Sequence, residues 1–68
     1  MKVSEREMNQ WAKSQMKLGY RLKLVQDKSA GYQKGFLDQT TKEVIITNVT
    51  NRQRQVLIEM QDKVIAKQ

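Results

Sequence analysis

The sequence has no cysteine, no histidine and no proline. Without cysteine, no disulfide can supplement the core. Without histidine or cysteine, the usual zinc-ligand sets cannot be assembled. The common general base and the best neutral-pH nucleophile are missing for the same reason. Without proline, nothing punctuates the chain as a linker, and no internal repeat is visible. There is no run of about 18 apolar residues, so no membrane span is expected. The opening "MKVSEREMNQ" lacks the apolar h-region of a secretory signal, and a cytoplasmic location, of the cell or of a host, is expected. Aromatics are scarce: one tryptophan, two tyrosines and one phenylalanine.

What remains is short and basic. The chain has 68 residues, so a single domain over residues 1–68 is expected. A chain of this size buries only about 60% of its unfolded surface on folding. Its stability must come from apolar packing and helix caps, with oligomerisation as a further source open to it. The formal net charge is +6, which favours acidic partners. Residues 1–19, 20–48 and 49–68 each carry two more positive than negative charges, so no tail concentrates the charge. Any basic patch has to be made by folding.

The first segment reads as a helix over about residues 4–18. "SERE" is a capping box in which Ser4 caps the first turn and Glu7 reaches back, with Val3 and Met8 at the spacing of a hydrophobic staple. Glu5 and Glu7 suit the positive end of the helix dipole, and Lys13 and Lys17 its negative end. Gly19 is a natural residue just past the end. Met8, Trp11, Ala12, Gln15 and Met16 share one face.

The middle changes period. "YRLKLVQ" alternates, with Tyr20, Leu22 and Leu24 on one face and Arg21, Lys23 and Val25 on the other. "DKSAG" is a turn signal. "YQKGFLD" is a weaker strand with Tyr32, Lys34 and Phe36 opposite Gln33, Gly35 and Leu37. Its buried face is ambiguous, and Gly35 marks a possible bulge. "QTTK" is a second turn and "EVIITN" a β-branched third strand. Short connections between three strands imply an antiparallel meander. A second helix is expected over 51–66, capped by Thr50 or Asn51. Val56, Leu57, Met60, Val64 and Ile65 would form its broad apolar face, widened by Ile58. The expected fold is a small two-layer α+β domain, α-β-β-β-α, with a three-stranded antiparallel sheet and both helices on one face.

The residues offer little for catalysis. Glu5 and Glu7 have a helix-dipole role, Asp27 and Asp38 flank turns, and Glu59 pairs with Lys63 at i,i+4. No catalytic residue, cofactor or metal site is assigned, and a non-enzymatic protein is expected. "NVT" at Asn48 matches a glycosylation sequon, but a strand end followed by a helix cap accounts for it. Trp11 reads as a core residue, with an interface anchor as the alternative. Tyr20 also reads as core. Tyr32, Lys34 and Phe36 form an aromatic–basic–aromatic alternation of the kind that stacks unpaired bases.

Arg52 and Arg54 give the best functional hint. A helix N-terminus with nearby guanidinium groups attracts phosphate. Cations there oppose the dipole, at a cost of a few tenths of a kcal/mol each. "SERE" and "TNRQRQ" thus treat the same helix position in opposite ways. The bland alternative is a solvated face, with the Arg54 stem covering core atoms.

The α-β-β-β-α order and the length resemble the double-stranded RNA-binding domain, whose second helix presents basic residues to phosphates. The resemblance is topological. "NRQRQ" stands in place of that family's lysine cluster, and "DKSAGYQ" has no counterpart of its Gly-, Pro- and His-rich loop. The strands with the last helix also look somewhat like the arm-binding domains of tyrosine recombinases. No family is assigned, because shared topology does not fix function.

Three functions follow as expectations. The first is a nucleic-acid-binding accessory or regulatory factor of a phage or mobile element, using Arg52, Arg54, Arg21, Lys23, Lys28 and Lys34. The second is a small inhibitor or adaptor that docks on an acidic surface of a larger host protein. The third, compatible with both, is a homodimer through an outward apolar strip of Val25, Leu37 and Ile45. Convergence of the arginines with Arg21, Lys23 or Lys28 would favour nucleic acid. Scatter would favour the inhibitor or adaptor.

Overall fold

In the computed structural model, which describes residues 4–67, helix α1 spans Glu5–Lys17. The Ser4 hydroxyl accepts from the Glu7 amide at 3.2 Å, which is the N-cap half of the expected capping box. The staple residue Val3 lies outside the described residues. Gly19 closes α1 with φ near 104°: its amide bonds to Met16 O and the Tyr20 amide to Gln15 O. This is the two-bond Schellman closure, and it needs a residue that tolerates positive φ.

Strand β1 (Arg21–Val25) follows, then β2 (Lys34–Asp38) and β3 (Glu43–Thr47). Helix α2 spans Asn51–Ala66, with the Thr50 hydroxyl accepting from the Gln53 amide at 3.2 Å. The α+β class and the α-β-β-β-α order are as expected. The sheet is not an antiparallel meander. Its order is β1-β3-β2, with β1 parallel and β2 antiparallel to β3.

Two local features account for this. Strand β3 is buried on both faces, with Val44, Ile45, Ile46 and Thr47 all buried, which suits the centre of a sheet. Loop 26–33 is long enough to carry the chain over the end of β3 to the far edge. Asn48 pins that crossing. Its Oδ1 accepts from the Asp27 amide at 2.9 Å, and its Nδ2 donates to Asp27 O and Tyr32 O at 2.9 and 3.0 Å. Asn48 adopts φ near 58°, a conformation asparagine tolerates better than most residues. The sequon asparagine is therefore a structural clamp.

The inner sheet face carries Leu22, Leu24, Val44, Ile46, Gly35 and Leu37 in register. It packs on Met8, Ala12 and Met16 of α1 and on Leu57 and Val64 of α2. Trp11 and Tyr20 flank this core, as expected. Gly35 is not a bulge, since the β2–β3 register runs through it unbroken. It leaves room for α1: a Cβ there would lie 2.5 Å from the Trp11 ring and 2.8 Å from Met8 Sδ. Leu37 faces the core, not the outward strip, because it shares its face with Gly35. The expected broad face of α2 is only partly used. Leu57 and Val64 are buried and Met60 packs beside them, while Val56, Ile58 and Ile65 are exposed. The helix touches the sheet along a narrow stripe, and its two flanks face the α1 side and the β1 edge.

A candidate docking groove between two parallel helices

The parallel pairing of β1 with β3 decides how the helices run. α1 leads into the start of β1 and α2 leaves the end of β3, so both helices point the same way. Met16 near the end of α1 and Val64 near the end of α2 accordingly line one small crevice. Between the outer faces of the two helices lies an open groove of about 550 Å³. Its floor is Val56, Met60 and Val64, all on α2. Lys13 and Lys17 from α1, Lys63 from the last turn of α2 and Lys67 at its C-cap form its basic sides, with Glu59 as the one carboxylate of the lining.

The charge arrangement has a local cause and a non-local consequence. Lysines near a helix C-terminus interact favourably with its dipole. Because α1 and α2 run in the same direction, their lysine-bearing ends arrive side by side. Lys13 with Lys17, and Lys63 with Lys67, are like-charge i,i+4 pairs that destabilise an isolated helix by a few tenths of a kcal/mol each. Glu59 offsets Lys63 on its own helix. The groove thus holds more positive charge than folding asks for, over a floor of apolar side chains.

None of the residues nominated from sequence lines the groove, and only Arg52 lies in line with it. Positions two apart on a helix diverge by about 200°. Arg52 therefore lies on the side of α2 that carries Glu59, seven residues on, in line with the groove. Arg54 lies on the opposite side, in line with Gln61, whose Oε1 accepts from the Leu22 amide of the β1 edge at 2.7 Å. The outward sheet face is a grid of three rows. Arg21 shares a row with Glu43 and Asp38, which places two acidic residues in its row. Lys23 shares a row with Ile45 and Phe36, and Lys34 with Thr47 and Val25. Lys34 Nζ sits 5.8 Å from the centre of the Phe36 ring. Lys28 lies in loop 26–33, at the end of the molecule where α2 begins. The six residues do not form one patch.

Sequence reasoning missed Lys13, Lys17, Lys63 and Lys67 as a group. The available signal was the pair of lysines one turn apart near the end of each helix. Only the relative direction of the helices, set by the strand order, brings the pairs together. Val25 and Ile45 do lie on the outward face, but they form no exposed strip: Val25 is half-buried and Ile45 is only 8% exposed, flanked in its row by Lys23 and Phe36. In loop 26–33, hydrogen bonds from Ser29, its hydroxyl at 2.6 Å and its amide at 3.1 Å, hold the Asp27 carboxyl below the usual range. That arrangement is a local turn. Among the described residues no group of three or more Asp or Glu side chains converges as a metal site. No helix among them is long and apolar enough to cross a membrane.

Compared with known proteins, the chain matches no family model, no curated protein and no solved structure. Its likeness to the double-stranded RNA-binding domain extends no further than the order of elements along the chain.

Proposed function

We propose that the protein is a small non-enzymatic docking module, an inhibitor or adaptor, that takes an acidic segment of a larger protein into the groove between α1 and α2. The observation that carries this reading is the meeting of Lys13, Lys17, Lys63 and Lys67 around Val56, Met60 and Val64. A phosphate backbone would use the lysines and leave the apolar floor in water. A protein segment with carboxylates beside apolar anchors uses both. The scatter of Arg21, Lys28 and Arg54 points the same way. In a phage or mobile element the partner would be a host protein of the cytoplasm.

The test is capture from a host lysate with and without nuclease, using the wild type and K13Q/K17Q/K63Q/K67Q. The expected partner survives nuclease and is lost with the variant. A partner removed by nuclease, or one retained by the variant, overturns the reading.

A second reading, nucleic-acid binding, has one specific observation in its favour. The outward sheet face is uncovered by either helix and presents Phe36, 44% exposed, beside Lys34 on β2 and across Ile45 from Lys23, with exposed Tyr32 just before β2. Exposed rings beside cations suit unpaired bases. Binding of single-stranded oligonucleotides that is undetectable at about 50 mM salt, where phosphate contacts are strong, would remove this reading.

A further inference from the structure

We infer that the occupant of the groove is an amphipathic helix of about three turns, with carboxylates on both flanks, seated antiparallel to α1 and α2. This rests on the reading of the groove as a docking site for an acidic protein segment. Three features lead to it.

The first is the backbone. Both walls are helices, whose main-chain groups are satisfied internally away from their ends. An extended peptide laid over Val56, Met60 and Val64 would desolvate its own amides with nothing to pair them. A helix brings no unpaired main-chain groups to that floor.

The second is spacing. Val56, Met60 and Val64 recur every four residues and form a ridge about 12 Å long on α2 that sinks from exposed Val56 through half-buried Met60 to buried Val64. A ridge of this kind packs into the groove between i, i+4 rows of a neighbouring helix. Lys13 and Lys17 stand one turn apart on one wall, and Lys63 and Lys67 one turn apart on the other. Carboxylates at i,i+4 on each flank of the incoming helix would face both pairs.

The third is polarity. Lys17 and Lys67 lie at the C-terminal ends of α1 and α2, where the negative ends of both dipoles also point. An antiparallel helix sets its N-terminus at that end. Acidic residues in a first turn already stabilise their own helix, and here they would meet Lys17 and Lys67.

The probe is a set of synthetic peptides of one composition, rich in glutamate and leucine: an amphipathic helix, a scramble without an apolar face, and the helix with its central residue replaced by proline. Binding is followed by NMR shifts and calorimetry, with a spin label at the peptide N-terminus. The amphipathic peptide is expected to bind at least about tenfold tighter than the other two, a difference of about 1.4 kcal/mol. It should shift Val56, Met60 and Val64, and its label should broaden Lys17 and Lys67. The variant K13Q/K17Q/K63Q/K67Q, with fold checked by circular dichroism, should lose the binding. If the three peptides bind alike and the variant abolishes all, the acidic-partner reading stands and the helix is wrong. If none binds, both are wrong. Broadening confined to the Val56 end of the groove overturns the antiparallel seating.

Discussion

Gly35 is the position where a single methyl group would be felt most. A Cβ there would meet both Trp11 and Met8, at distances no side chain accepts without movement. Gly35→Ala is expected to cost about 1–3 kcal/mol, the usual range for overpacking, seen as a lower midpoint in urea. A midpoint at or above the wild type would show that α1 sits further from β2 than the structure has it. Gln53 offers the opposite change. It is 3% exposed, and its Nε2 has no hydrogen-bond partner among the described residues. A buried, unsatisfied amide costs about 1–3 kcal/mol, so Gln53→Met should raise the melting temperature. Asp27 ties the crossing loop to pH. Its carboxyl is lowered chiefly by the Ser29 hydroxyl, so the folded form titrates below the unfolded value of about 3.9. The stability this gives is present above that value and is lost as pH falls through the folded pKa. In Ser29→Ala, NMR titration should show the Asp27 pKa rising toward the ordinary value. An unmoved pKa would assign the shift to other groups.

At the scale of elements, both helix starts were legible because a cap is local. Ser4 and Thr50 each hold the amide three residues on, and nothing beyond one turn of chain is needed for that. β1 was legible from its alternation, whereas Tyr20 precedes the strand and belongs to the close of α1. What α2 does with its flanks was not legible, because an apolar residue on a helix does not say which neighbour reaches it. The paired arginines show this best: adjacent in reading, they leave α2 on opposite sides. Arg52→Gln is therefore expected to weaken partner binding through the groove, and Arg54→Gln to leave it unchanged. Each removes a cation that opposes the dipole, so each should stabilise the fold by a few tenths of a kcal/mol. Titration of the purified partner against both variants checks this, and equal losses from the two would refute the divergence.

For the whole molecule, the deciding feature is the place of β3. With β3 between β1 and β2, the helices run in parallel and their lysine-rich ends coincide. The resulting repulsion is screened by salt, since the Debye length falls from about 30 Å at 0.01 M to about 3 Å at 1 M. The wild-type melting temperature should rise with sodium chloride, and the rise should be smaller in K13Q/K17Q/K63Q/K67Q. Equal slopes would mean that the four ammonium groups do not feel one another. The sequence by itself determined the elements, their caps, the α+β class and the poverty of catalytic groups, because these depend on residue type and near-neighbour spacing. The tertiary structure alone decided strand order, helix direction and the basic groove. Those depend on the crossing of loop 26–33, held by Asn48, and on the burial of β3 on both faces. A charge has a local address in sequence, but its neighbours across a groove are set by topology.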